Sequence, residues 1–236
     1  TLLDMTEPEQ YKKIEQGAAT EIKELMKEQK AYYAALSKLT KEERIEKMVD
    51  KLLEGSNAQA QTLVLIEKLK QEAARQKLEA AKEIFDDCVE NNRKTIIFTR
   101  HKNFAYQLHN QYKDCSVCVT GDIKTEERYA LVNKFNEDNG IVFFIATMQS
   151  AGVGFNITSA SEVKFLELDY TPALHEQAES RAHRIGQKSK VNVEYLILKD
   201  SIDEDIIDTL NQKSEVIEKI SKGQLLNKLI LKYKLL

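Results

Sequence analysis

From Arg93 onward the chain alternates short apolar runs with amphipathic stretches, and this alternation restricts the possible folds more than any other feature. Thr95-Ile-Ile-Phe98, Val117-Cys-Val119, Ile141–Ile145, Val163–Leu166 and Val193–Leu198 have strand length and few polar interruptions. Runs of that kind suit strands covered on both faces, the usual condition of a parallel sheet. Between the runs, Phe104, Leu108 and Tyr112, then Leu131, Val132 and Phe135, recur at helical spacing. Further helices are expected at about 173–183 and about 203–218. The pattern predicts an α/β fold with a mostly parallel sheet flanked by helices. Ligands of such sheets gather at the carboxyl ends of the strands, and Thr99, Gly121, Thr147 and Asp169 are expected there.

Before Arg93 the pattern is helical. Glu, Lys, Gln, Ala and Leu dominate residues 6–92, and Pro8 is their one proline. Thr6-Glu-Pro-Glu9, Thr40-Lys-Glu-Glu43 and Ser56-Asn-Ala-Gln59 read as capping boxes, the last after a break at Gly55. Three or more helices are therefore expected, with Leu63, Ile66, Leu69 and Ala73 facing a core. Lys219–Leu236 holds five lysines and no acid. It reads as an amphipathic helix docked on the domain or on a neighbour, with a DNA-contacting tail as the alternative. The predicted division is a helical extension over 1–92, a lobe over 93–210 and a tail over 211–236.

Charge and cysteine usage narrow the function. A net charge of −3 over 236 residues gives no global basic signature, so any nucleic-acid site must be a local patch. Cys115 and Cys118 have no second pair to complete a zinc site and read as buried free thiols. With Cys88 the count is odd, which suits a reducing, intracellular compartment: nuclear in a eukaryote, cytoplasmic in a bacterium or virus. No apolar run reaches membrane-spanning length, so no membrane partner is expected. His101, His109, His175 and His183 lack metal-ligand spacing. No G-x-x-x-x-G-K-[ST] loop and no D-E-x-H-type acidic motif occurs, so this chain by itself cannot cradle a triphosphate and its magnesium.

Three segments could carry chemistry. In Gln177-Ala-Glu-Ser-Arg-Ala-His-Arg-Ile-Gly-Gln187, Arg181 and Arg184 lie three apart and share a helix face with Gln177, before a stop at Gly186. Two adjacent guanidiniums suit a polyphosphate. They fit a surface salt-bridge helix neutralised by Glu179 equally well. Ala146–Thr158 follows a strand, and Gly152 and Gly154 would let backbone amides approach a ligand, although a tight turn also needs glycine. Thr99-Arg-His-Lys102 ends a strand with groups suited to a phosphate backbone, or is simply a polar loop.

Taken in order, these segments resemble the second RecA-like lobe of the Swi/Snf-type DNA-translocating ATPases of helicase superfamily two. Residues 177–187 are similar to motif VI. Phe165-Leu-Glu-Leu-Asp-Tyr-Thr-Pro172 resembles the strand and loop before it, and Val191–Ile197 the strand after it. Ser150–Ile157 is similar to motif V, Val119-Thr-Gly-Asp122 with Glu127-Arg128 to the motif between IV and V, and Thr95–Lys102 to motif IV. The Phe-Leu-Glu-Leu-Asp string looks closest to the annealing-helicase branch. Ala151 stands where many members have glycine, and Tyr170 near where many have tryptophan.

The resemblance implies that Arg181 and Arg184 reach across a cleft to ATP and magnesium held mainly by a first lobe. Gln177 would position the nucleotide edge or the attacking water, and Gly154 and Asn156 would approach the nucleotide. Thr99, Arg100, Gly121, Arg128, Gln149 and Ser150 would lie along the track of double-stranded or forked DNA. A strand-separating DNA or RNA helicase is the second enzyme reading. A non-catalytic interaction or DNA-binding module is a reading of another class.

Overall fold

The computed structural model describes residues 1–36, 38, 58–150, 157–179 and 191–211. Its strands are β1 (Leu2–Leu3), β2 (Thr95–Thr99), β3 (Ser116–Val119), β4 (Phe143–Thr147), β5 (Glu162–Phe165), β6 (Asn192–Tyr195) and β7 (Ile197–Leu198). The helices are α1 (Pro8–Leu36), α2 (Ala58–Ala80), α3 (Lys82–Glu90), α4 (Lys102–Gln111), α5 (Thr125–Glu137), α6 (Pro172–Glu179) and α7 (Ile202–Asn211), with a 3-10 turn at Lys113–Cys115. Contacts divide the described residues into two compact units. One holds Thr1–Thr6 and the chain from Ala73 onward; the other holds the chain from Glu7 to Glu72.

The larger unit is built on five parallel strands in the order β3-β4-β2-β5-β6. The chain enters at the central β2, crosses through α4 to the edge strand β3, returns through α5 to β4, then passes to β5 and, through α6, to β6. Thr99 lies opposite Thr147 in register, so β2 and β4 end level with each other. The parallel, helix-flanked arrangement expected from the alternation is present. Ile96, Ile97 and Phe98 of β2, Phe143, Phe144 and Ile145 of β4, and Val163 and Phe165 of β5 are all buried. Phe98, Phe165 and Tyr195 form a stack across three strands, with centroids 5.3 and 4.7 Å apart. Each such side chain contributes about 1.5–3 kcal/mol by leaving water.

The last third of α2, from Ala73, and all of α3 belong with this unit. Phe85 of α3 meets Tyr112 and Phe143 edge-on at 6.2 and 6.1 Å, and the Tyr112 hydroxyl donates to Asp86 at 2.7 Å. Asn92, with φ of 47°, ends α3. The Arg93 amide donates back to the Cys88 carbonyl and the Asn92 amide to that of Val89, a Schellman closure in which Asn replaces the usual glycine. Among the described residues, no helix is long and apolar enough to cross a membrane.

Four local expectations change. The Val193–Leu198 run is two strands, because β6 follows β5 only as far as Tyr195 and β7 pairs with β1 instead. At the break, the Leu196 carbonyl accepts from the buried Lys77 ammonium at 3.1 Å, and Lys77 also pairs with Asp203 at 2.7 Å. The strand expected at Ile141 begins at Phe143; Ile141 and Val142 are a buried lead-in. The first helix starts at Pro8, and the Glu7 carbonyl accepts from the Tyr11 amide, so Glu7 takes the capping position expected of Thr6. Proline's missing N–H then falls where no helical bond is needed. Ile66, Leu69 and Ala73 are buried as expected, but Leu63 is 41% exposed. The run Leu63-Val-Leu-Ile66 turns through about 300°, more than one face can cover. Thr40–Glu43, Ser56 with Asn57, and the lysine-rich tail lie outside the described residues.

Candidate functional site

The loops after β2, β3 and β4 leave the same carboxyl edge of the sheet, and together they wall a cleft. Arg100 and Lys102, Gly121 with Arg128, and Thr147, Gln149 and Ser150 line a cavity of about 170 Å³. That is room for a phosphate-sized group rather than a single water. Three cations therefore converge, Arg100 from the β2–α4 loop, Lys102 from the start of α4 and Arg128 from α5, while Gln149 adds an exposed amide.

Each wall is fixed from behind. The Ser150 hydroxyl is buried, 2.7 Å from the Thr147 carbonyl and 2.9 Å from that of Val119, so it ties the β4 loop to the end of β3. Thr99 is fully buried beneath the cleft, its hydroxyl donating to the His101 carbonyl at 3.3 Å. Arg128, in the first turns of α5, donates to the Ile123 and Gly121 carbonyls at 2.7 and 3.1 Å. It has no carboxylate partner among the described residues. Lys102 pairs with Asp122, and Tyr106 bonds the Thr120 hydroxyl at 2.8 Å. A Cβ added to Gly121 would meet nothing within 4 Å.

The loop from β5 to α6 supplies two carboxylates. Buried Glu167 accepts from the Arg100 and His101 amides at 2.8 and 2.9 Å and contacts His101 Nδ1 at 2.6 Å. It thereby holds the residues that lead into α4. Asp169 accepts from the Arg100 guanidinium through one oxygen and from the Thr171 amide through the other, both at 2.9 Å. The backbone of Asp169 meets His175 Nε2 at 3.1 and 3.0 Å. Neither carboxylate's role was readable in the sequence, since their partners lie 66 to 69 residues away.

Arg100, Gly121, Arg128, Gln149 and Ser150 are thus brought around one cleft, with Thr99 below it. Gln177 is exposed on α6, whose opposite side buries His175 and Ala178. Arg181, Arg184, Gly154 and Asn156, with Gly152 and Gly186, lie outside the described residues. Burial pushes the Cys118 thiol up to about 11 and raises that of Cys115 as well, which suits inert thiols rather than metal ligands. Among the described residues no group of His, Cys, Asp and Glu could hold a metal ion.

Residues 76–186 match the helicase conserved C-terminal domain. A SWI/SNF-related matrix-associated actin-dependent regulator of chromatin subfamily A-like protein 1 homolog of Caenorhabditis elegans is 36% identical over 132 residues, 55% of this chain and 19% of the relative. The mouse DNA annealing helicase and endonuclease ZRANB3 is 33% identical over 180 residues, 74% of this chain and 17% of the relative. The crystal structure of the C-terminal part of the Fun30 ATPase domain superposes with a TM-score of 0.59 at 26% identity, covering 67% of this chain and 54% of that one. The chain spans under a fifth of the length of these curated relatives. The chain contains the helicase conserved C-terminal domain, in a lobe that resembles the C-terminal part of the Fun30 ATPase domain, and its relatives include SWI/SNF-related and annealing helicases.

Proposed function

We propose that the chain is the second motor lobe of an ATP-dependent translocase on double-stranded or forked DNA. The observation that carries this reading is the cleft at the carboxyl edge, where Arg100, Lys102 and Arg128 face a phosphate-sized space beside Gly121. Guanidinium and ammonium groups recognise phosphate oxygens without reading base sequence, which suits a motor that must move along any DNA. Arg100, Gly121, Arg128 and Gln149 contact the backbone directly. Thr99 and Ser150, both buried, act by shaping the loops that present them.

ATP with its magnesium is held mainly by a first RecA-like lobe, the partner of this one. Arg181 and Arg184 stabilise charge developing on the transferred phosphoryl group. Gln177 orients the nucleotide edge or the attacking water, and Gly154 and Asn156 approach the nucleotide. Gln177 is exposed on α6 and lies four residues before Arg181 in the sequence.

The test is ATP turnover with and without duplex DNA. The chain alone is expected to turn over ATP negligibly, and the longer protein carrying both lobes to be stimulated by DNA. Turnover by the chain alone, or a two-lobed protein indifferent to DNA, overturns the reading.

A further inference from the structure

Asp169 belongs to neither the cleft lining nor the nucleotide-facing set, yet it touches the elements that present both. One carboxylate oxygen holds the Arg100 guanidinium, which lines the cleft. The other accepts the Thr171 amide, immediately before α6 begins at Pro172. His175, one turn into α6, bonds the Asp169 backbone. Within a few ångströms the chain therefore runs from a cleft cation, through one carboxylate, to the start of the helix that carries Gln177.

We propose that Asp169 is a positioning residue that couples phosphate in the Arg100 cleft to the placement of α6. A phosphate oxygen and the Asp169 carboxylate compete for the same guanidinium. When phosphate draws Arg100 forward, Asp169, only 9% exposed, loses part of its counter-charge. A buried carboxylate so deprived is costly, and its other oxygen is held by the Thr171 amide. The carboxylate leans onto that amide and draws the start of α6 with it. Glu167 makes this directional: it pins the Arg100 and His101 backbone, so the Arg100 side chain moves while its loop stays.

This inference rests on the translocase reading, and the two fail differently. The experiment compares the two-lobed protein with its Asp169→Asn, Arg100→Ala and doubly substituted forms. It measures the ratio of DNA-saturated to DNA-free ATP turnover, and separately the DNA concentration giving half-stimulation. Asparagine keeps an oxygen for Thr171 but removes the charge facing Arg100. Asp169→Asn should lower the stimulation ratio roughly tenfold, within the usual range of coupling between sites, without raising the half-stimulating DNA concentration. In the Arg100→Ala background it should lower the ratio no further, because the two residues act as one unit.

An unchanged ratio in Asp169→Asn overturns the coupling, as does an effect confined to the half-stimulating concentration, or one that adds fully to Arg100→Ala. Absence of stimulation in the unsubstituted protein overturns the translocase reading instead. Should Asp169→Asn fail to fold by circular dichroism, amide exchange on the unsubstituted protein decides. DNA is then expected to change protection across residues 171–176, and identical protection with and without DNA overturns the proposal.

Discussion

The two ends of the same five strands carry similar numbers of charges and use them oppositely. At the amino end, Lys94 donates to the Phe135 and Asp138 carbonyls, the latter at 2.9 Å, and lies 5.0 Å over the Phe135 ring. Arg93 bonds Asp87 and Glu162, and buried Lys164 sits between Glu162 at 2.9 Å and Glu194 at 2.6 Å. These cations are consumed by the protein. At the carboxyl end, Arg100, Lys102 and Arg128 also have partners, but all three still line an open cavity. Ion pairs alone therefore do not mark the site. Cations that remain directed at a shared space do, and substitutions at the two ends should fail in different assays.

The largest difference is expected beyond α6. In the two-lobed protein, Arg184→Ala should lower ATP turnover by about 10³–10⁵, the usual contribution of an arginine finger, while leaving the urea-unfolding midpoint unchanged. Full turnover would remove Arg184 from the mechanism. The reverse is expected of Lys164→Met. Removing one member of a buried ion cluster typically costs about 3–5 kcal/mol, and the part-exposed carboxylates here place the loss near the lower figure. Urea unfolding measures it, and DNA affinity of the folded protein should not move.

The Lys164 cluster also has a pH signature. Burial pushes the Glu194 carboxyl up, but its bonds to Lys164 and Thr1 outweigh that and hold it below its usual 4.5. Burial pulls Lys164 down, yet Glu194 and Glu162 together raise it above 10.5. A depressed carboxyl stabilises above its unfolded value and loses that contribution as pH falls through the folded one; a raised ammonium stabilises below its unfolded value and loses it on the alkaline side. The stability gap between the unsubstituted protein and Lys164→Met should therefore be flat from about pH 5 to 10 and shrink in acid below 4.5. A gap that ignores acid would place the loss in packing rather than charge.

At the cleft, Arg128→Ala should weaken duplex binding for all sequences alike and lower the salt slope of log affinity by about 1. Its stability should fall by about 1 kcal/mol, the usual net worth of hydrogen bonds such as those it makes to the Ile123 and Gly121 carbonyls. A sequence-dependent loss would show that Arg128 reads bases.

Much of this architecture is legible from local pattern. Apolar runs such as Thr95–Phe98 are strands because a sheet covered on both faces needs no polar alternation, and the carboxyl-edge rule then locates the loops at 100, 121 and 148. The remainder depends on distant partners. Nothing local distinguishes Glu167 from a surface acid, because its meaning lies in amides 66 and 67 residues away. The same holds for Lys77, whose burial follows from the Leu196 carbonyl and Asp203, more than a hundred residues on. The break at Leu196 was hidden because an apolar run looks the same whether one partner strand or two receive it.

The smallest expected effect separates fold from function most cleanly. Gly121 does not adopt a left-handed backbone, and a Cβ there would meet open space, so the fold does not demand glycine. Alanine should leave stability unchanged or raise it by up to about 1 kcal/mol, through the lost freedom of the unfolded chain. A DNA backbone entering the cleft would nevertheless meet the new methyl at the wall formed by Gly121 and Arg128. Gly121→Ala should therefore weaken DNA binding severalfold, roughly 1 kcal/mol, in a protein that unfolds at the same or higher urea concentration. A loss of stability would mean that the turn itself needs glycine. Unchanged stability with unchanged affinity would mean that DNA does not approach this wall, and the distinction between the two ends of the sheet would then rest on Arg100 and Lys102.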